Sequence, residues 1–184
     1  MLFQKLCLFL FLILGCVISS FSQSASCPPN ISFENGNFGN WQAATGRVND
    51  IGINNVITMT ASGAVSNRHT IYDRTSNPGI DPYGRFARVS PEGGRYSVRL
   101  GNSGIGAQAE RLSYTLKVPA NQPDFTLTYY YAVVFEDPNH SQHQQPRFTA
   151  RVFDVAAGQY IPCASFEYIA TSNLPGFTKS TTGT

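Results

Sequence analysis

The chain has 184 residues, a formal net charge of +2 and only 13% charged side chains, against about 25% in ordinary domains. Its Lys and Arg residues are scattered, which excludes a basic nucleic-acid footprint, and no basic amphipathic helix marks a membrane surface. No Gly-x-Ser-x-Gly elbow and no phosphate loop ending in Gly-Lys-Ser/Thr occurs, so the chain reads as a non-enzyme.

The first element is an export signal over residues 1–26. Lys5 supplies the basic start, Leu6 to Ile18 the apolar run, and Ser19 to Ser26 the small polar end. The run is short for a membrane span, which needs about 20 residues. Cleavage after Ser26 sets Ser24 and Ser26 at the two recognition positions. A lipoprotein cut before Cys16 is the rival, ranked second because Leu14 is bulky for that motif. Removing 26 of 184 residues leaves 158, one domain's worth. Cys7 and Cys16 leave with the signal. Cys27 and Cys163 then enter an oxidising compartment, where a Cys27–Cys163 disulfide is expected. On the chain-entropy model the long loop it closes is worth about 4–5 kcal/mol.

Strand patterns fill the body, residues 27–172. The shorter candidates are Val56–Thr60, His69–Tyr72 and Cys163–Ile169. Tyr96–Leu100, Leu112–Val118 and Phe148–Val152 alternate with period two. The strongest run is Phe125–Phe135: Phe125, Leu127, Tyr129, Tyr131, Val133 and Phe135 share one face, and Thr126, Thr128, Tyr130, Ala132 and Val134 the other. Turn signals stand between the runs, including Asn35-Gly36, Asn77-Pro78-Gly79 and Ala157-Gly158. Long helical periodicity is absent. The expected fold is an all-β antiparallel sandwich of the jelly-roll type. Residues 173–184 carry no strand pattern and read as a linker or as part of an unfinished domain.

The segment Asn30-Ile-Ser-Phe-Glu-Asn-Gly-Asn-Phe-Gly-Asn-Trp41 resembles the opening of galactose-binding-like carbohydrate modules of the family 4 and 9 type. A second resemblance runs along the mature chain. It rests on Cys27 to Gly36, Ser97 to Asn102, Ala109 to Thr115, Tyr131 to Pro138, Gln145 to Phe148 and Cys163. Together these look like the N-terminal domain of large bacterial surface proteins that carry PKD repeats and a gliding-motility-associated C-terminal sorting domain. The resemblance implies display at the cell surface, adhesion or glycan binding, and a domain that continues past residue 184. The partners it implies are a polysaccharide or surface glycan and downstream domains of the same chain.

Sugar recognition on β-sandwiches stacks a pyranose on an exposed aromatic ring. Trp41, Tyr72, Tyr83 and Tyr130 are the candidate ligand-binding residues. The opposing reading makes Trp41 core beneath the first loop, as Trp is highly buried on average. Glu34 is the candidate ligand of a structural calcium ion, which favours hard oxygen donors; its alternative is a solvated or turn-bonded carboxylate. Glu136, Asp137, His140 and His143 offer a weaker zinc pattern in a loop. The reading is thus a secreted, non-catalytic, glycan-binding surface module. A purely structural display domain is the second reading, and an accessory region of a secreted glycoside hydrolase the third.

Overall fold

The computed structural model describes residues 27–121, 125–171 and 173–182; the expected export signal lies outside them. The chain is all-β. Its described strands pair antiparallel, and the described helical structure is two single-turn 3₁₀ segments, Gln142–Gln144 and Pro162–Ala164. Among the described residues no helix is long and apolar enough to cross a membrane.

The largest sheet has β1 (Trp41–Ile51) at its centre, between β2 (Asn54–Ala61) and β5 (Gln108–Tyr114). β1 and β2 are joined through Gly52-Ile53, with Ile51 opposite Asn54. Gly52 takes φ +65°, the left-handed conformation that a two-residue hairpin loop needs. On the other side of β1, Trp41 lies opposite Tyr114 and Ala43 opposite Leu112. Ala43 and Ala44 are buried, while the hairpin end around Ile51 and Ile53 stands in solvent.

β3 (His69–Asp73) and β4 (Tyr96–Leu100) form a separate ladder, with Ile71 opposite Val98. Arg68 ties this ladder to the first sheet. Its guanidinium pairs with Glu110 of β5 and donates to the carbonyls of Gly46 (3.2 Å) and Ala109 (2.9 Å). Both side chains are largely withdrawn from water, where a lone charge would be costly. At the far end of the ladder, the Arg95 guanidinium grips both oxygens of Asp73, at 2.9 and 2.7 Å.

β6 (Arg147–Ala150) pairs with β9 (Phe166–Ile169), and β7 (Phe153–Asp154) with β8 (Gln159–Tyr160). Strand alternation gives the β6–β9 ladder two unlike faces. Phe148, Phe166 and Tyr168 take one. Arg147, Thr149 and Glu167 take the other, where Thr149 Oγ1 donates to Glu167 (3.0 Å) and Arg147 lies 3.7 Å from it.

Two expectations are corrected. Phe125–Phe135 has the strongest strand pattern in the chain, yet it joins no ladder of the described residues; it runs without turn or bend. The Cys27–Cys163 disulfide is absent, and both residues are exposed free thiols. Pro29, two residues after Cys27, is held to β5, its carbonyl accepting from the Tyr114 hydroxyl (2.8 Å). Cys163 sits in the 3₁₀ turn that leads into β9, whose partner is β6. The two thiols are therefore anchored to different sheets.

The Asp73 carboxyl is held well below the usual carboxylate range, first by its hydrogen bond from Arg95 and then by the Thr75 backbone N–H. A depressed carboxyl stabilises the fold above its unfolded value, about pH 4, and that contribution is lost as acid protonates it in the native state. Asp73→Asn should lower the melting temperature at neutral pH. It should also flatten the loss of stability between about pH 5 and about pH 2. Melting curves that stay parallel to wild type across that range would show that the pair does nothing for stability.

Candidate ligand-binding surface

The loop before β1 is built on Asn30. This residue is fully buried and left-handed, with φ +57°, a conformation Asn tolerates better than most residues. Its Nδ2 donates to the carbonyls of Asn37 (3.0 Å) and Gly39 (2.6 Å), and its Oδ1 accepts from Asn35 N–H (3.0 Å). Its own carbonyl accepts from Trp41 Nε1 (2.9 Å) and from Phe33 N–H (3.1 Å).

Trp41 is thereby locked in place. Its ring stacks on Phe33 with centroids 4.5 Å apart and meets Tyr114 edge-on at 5.1 Å. With both neighbours and its N–H engaged, the ring is a packing element of the loop–sheet junction. Glu34 serves the same loop, its two oxygens accepting from Asn30 N–H and Ser32 N–H. A calcium ion would find one carboxylate there, already engaged twice. Among the described residues no group of three His, Cys, Asp or Glu converges on a metal position. The loop histidine His143 instead lies 3.3 Å from Asp50 of β1.

The other three candidates separate from one another. Tyr72 is only 8% exposed. Its ring has the Arg88 and Arg99 guanidiniums 5.2 and 5.7 Å from its centroid. Tyr83 is exposed on the loop after β3, its carbonyl accepting from the Ser180 hydroxyl at 2.8 Å. Tyr130 is the most open, at 59%.

Tyr130 marks a larger surface. Its neighbours Tyr129 and Tyr131 are 44% and 47% exposed, and their rings are 5.8 Å apart. Tyr131 continues to Phe148 (5.5 Å, near-parallel) and Phe166 (5.4 Å), and its hydroxyl lies 3.1 Å from that of Tyr168. Phe177 then packs against both Tyr168 and Phe135, at 5.6 Å in each case. One unbroken band of rings thus spans the unpaired segment, the aromatic face of β6–β9 and residue 177. The Tyr131 hydroxyl is pushed above its ordinary value by the bond to Tyr168 and then by burial, and that of Tyr129 by burial and then by Tyr168. Both shifts favour the neutral hydroxyl at Tyr129 and Tyr131.

Sequence reasoning singled out Tyr130 but set Tyr129 and Tyr131 on the opposite, apolar face of the same strand. The cue to the band was the Tyr129-Tyr130-Tyr131 run itself, since three adjacent rings in a strand put aromatics on both faces. No family model, no curated protein and no solved structure matches this chain.

Two substitutions separate packing from surface. Asn30→Ala removes four side-chain hydrogen bonds at a buried site and should cost about 3 kcal/mol. Tyr130→Ala should change stability by less than about 0.5 kcal/mol. Urea denaturation followed through Trp41, the single tryptophan, measures both; equal losses would refute the division.

Proposed function

We propose that the chain is a non-catalytic, extracellular binding module of a larger cell-surface protein, and that its ligand is a glycan. The observation that carries this reading is the exposed aromatic band centred on Tyr129 and Tyr131, with Tyr130 open on the opposite face of the same segment. Monomeric proteins rarely leave contiguous apolar surface open without a use. Ring faces match the C–H faces of pyranoses, and the tyrosine hydroxyls beside them match sugar hydroxyls. The pattern of exported start and successive strands agrees with surface display, and the jelly-roll sandwich is the architecture proposed for the domain as a whole.

A display domain without a ligand is the second reading. It is favoured by Trp41 and Tyr72, which are engaged in packing.

A glycan array probed with the purified chain tests the proposal. Wild type should bind a defined set of glycans, and Tyr129→Ala should weaken binding about tenfold, equivalent to about 1.4 kcal/mol. Trp41→Phe, which keeps a ring against Phe33 and Tyr114, should bind as wild type does. Absence of any bound glycan would end the sugar reading in favour of the display domain.

A further inference from the structure

The segment Phe125–Phe135 is positioned but unpaired. From Phe125 to Glu136 no backbone N–H or C=O makes a hydrogen bond with any described residue. The segment contains no proline and no charged side chain. Native sheets guard open edges with charges, proline or bulges, because a bare row of donors and acceptors is a template for another strand. Here the guards are missing. The segment is also held in place, by Tyr131 on Phe148, Phe166 and Tyr168 and by Phe135 on Phe177. Part of the ordering entropy of a strand pairing is thus met before the partner arrives.

We propose that Phe125–Phe135 is a strand-acceptor edge that takes an extended segment of another polypeptide, uncharged in its middle and basic at its ends. The charge pattern selects the partner. Asp124 precedes the segment in the sequence, and Glu136 and Asp137 follow it. A second copy paired antiparallel about Tyr130 would set Asp124 opposite Glu136 at both ends. Paired parallel and in register, it would set Glu136 against Glu136. Like charges directly opposite destabilise a strand pair. Lys or Arg at the ends of a foreign strand would meet the same acids favourably. This pairing uses the backbone edge, whereas the glycan reading uses the ring faces, so the two stand or fall separately.

The test is fluorescence anisotropy of a labelled 13-residue peptide, Lys-Thr-Val-Thr-Ile-Thr-Val-Thr-Ile-Thr-Val-Thr-Lys, long enough for its two Lys to lie opposite positions 124 and 136, titrated with the purified chain. Binding is expected, and it should weaken about tenfold when both Lys are replaced by Glu, with the difference shrinking in high salt. A peptide N-methylated at alternate residues, so that the hydrogen-bonding edge is blocked, should not bind. Ala132→Pro removes an N–H that has no described partner; its melting curve should match wild type while peptide binding falls. Three results would overturn the proposal. They are no binding of the unmodified peptide, equal binding of the N-methylated one, or a concentration-dependent dimer in sedimentation equilibrium that Ala132→Pro abolishes, which would make the occupant a second copy. A longer polypeptide whose own added residues block the peptide would likewise overturn pairing with a separate chain. Loss of glycan binding by Tyr129→Ala bears on none of these outcomes.

Discussion

The first half of the fold depends on a single buried asparagine. A buried amide must satisfy its donors and acceptor, and Asn30 does so by closing the chain on itself between residues 30 and 39. The same closure turns its carbonyl toward Trp41 Nε1. Trp41 is then fixed at the first residue of β1, and its contact with Tyr114 sets where β5 must end. From β5, Glu110 reaches Arg68 and so brings in the β3–β4 ladder. Each step is a polar or aromatic constraint, and the buried apolar side chains that accompany it are few and mostly small.

The second half is organised differently. Its rings stack on one another between Phe125 and Phe177, but much of their surface stays in water. Aromatic burial is among the largest contributions a small domain can draw on. Leaving Tyr129, Tyr130 and Tyr131 half open forgoes part of it. That imbalance, polar satisfaction at one end and uncovered aromatic surface at the other, is the physical basis of the binding role proposed for this module.

How much of this was legible depends on what each signal measures. Tyr96–Leu100 was readable to the residue, because its alternation and its ladder coincide. Val56–Thr60 and His69–Tyr72 fell inside β2 and β3 for the same reason. β1 escaped notice: Gln42-Ala43-Ala44-Thr45-Gly46 has no period-two contrast, and its strand state comes from having a partner on each side. Leu112–Val118 was displaced from the observed Gln108–Tyr114 because β1 begins at Trp41 and no described strand pairs with residues 115–118. Phe125–Phe135 shows the limit most clearly, since alternation reports a preference for the pleated state and says nothing of whether a neighbour is present. At the site, residue type did not separate Trp41, enclosed by Phe33 and Tyr114, from Tyr130, open to solvent. That difference is tertiary. Likewise, counting cysteines showed that Cys27 and Cys163 were available, and only the anchoring of their surroundings to separate sheets showed that they do not meet.

The aromatic band is carried by a backbone segment without strand partners among the described residues, while the Asn30–Trp41 junction is fully knitted. Hydrogen–deuterium exchange resolved by mass spectrometry measures this directly, because amide protection follows hydrogen bonding and local opening. Peptides covering Phe125–Phe135 should exchange within the fastest phase, and those covering Trp41–Val48 and Gln108–Tyr114 should remain protected near the global limit. Protection of Phe125–Phe135 equal to that of β1 would mean that the segment is already paired, and the account of an open aromatic edge would be wrong.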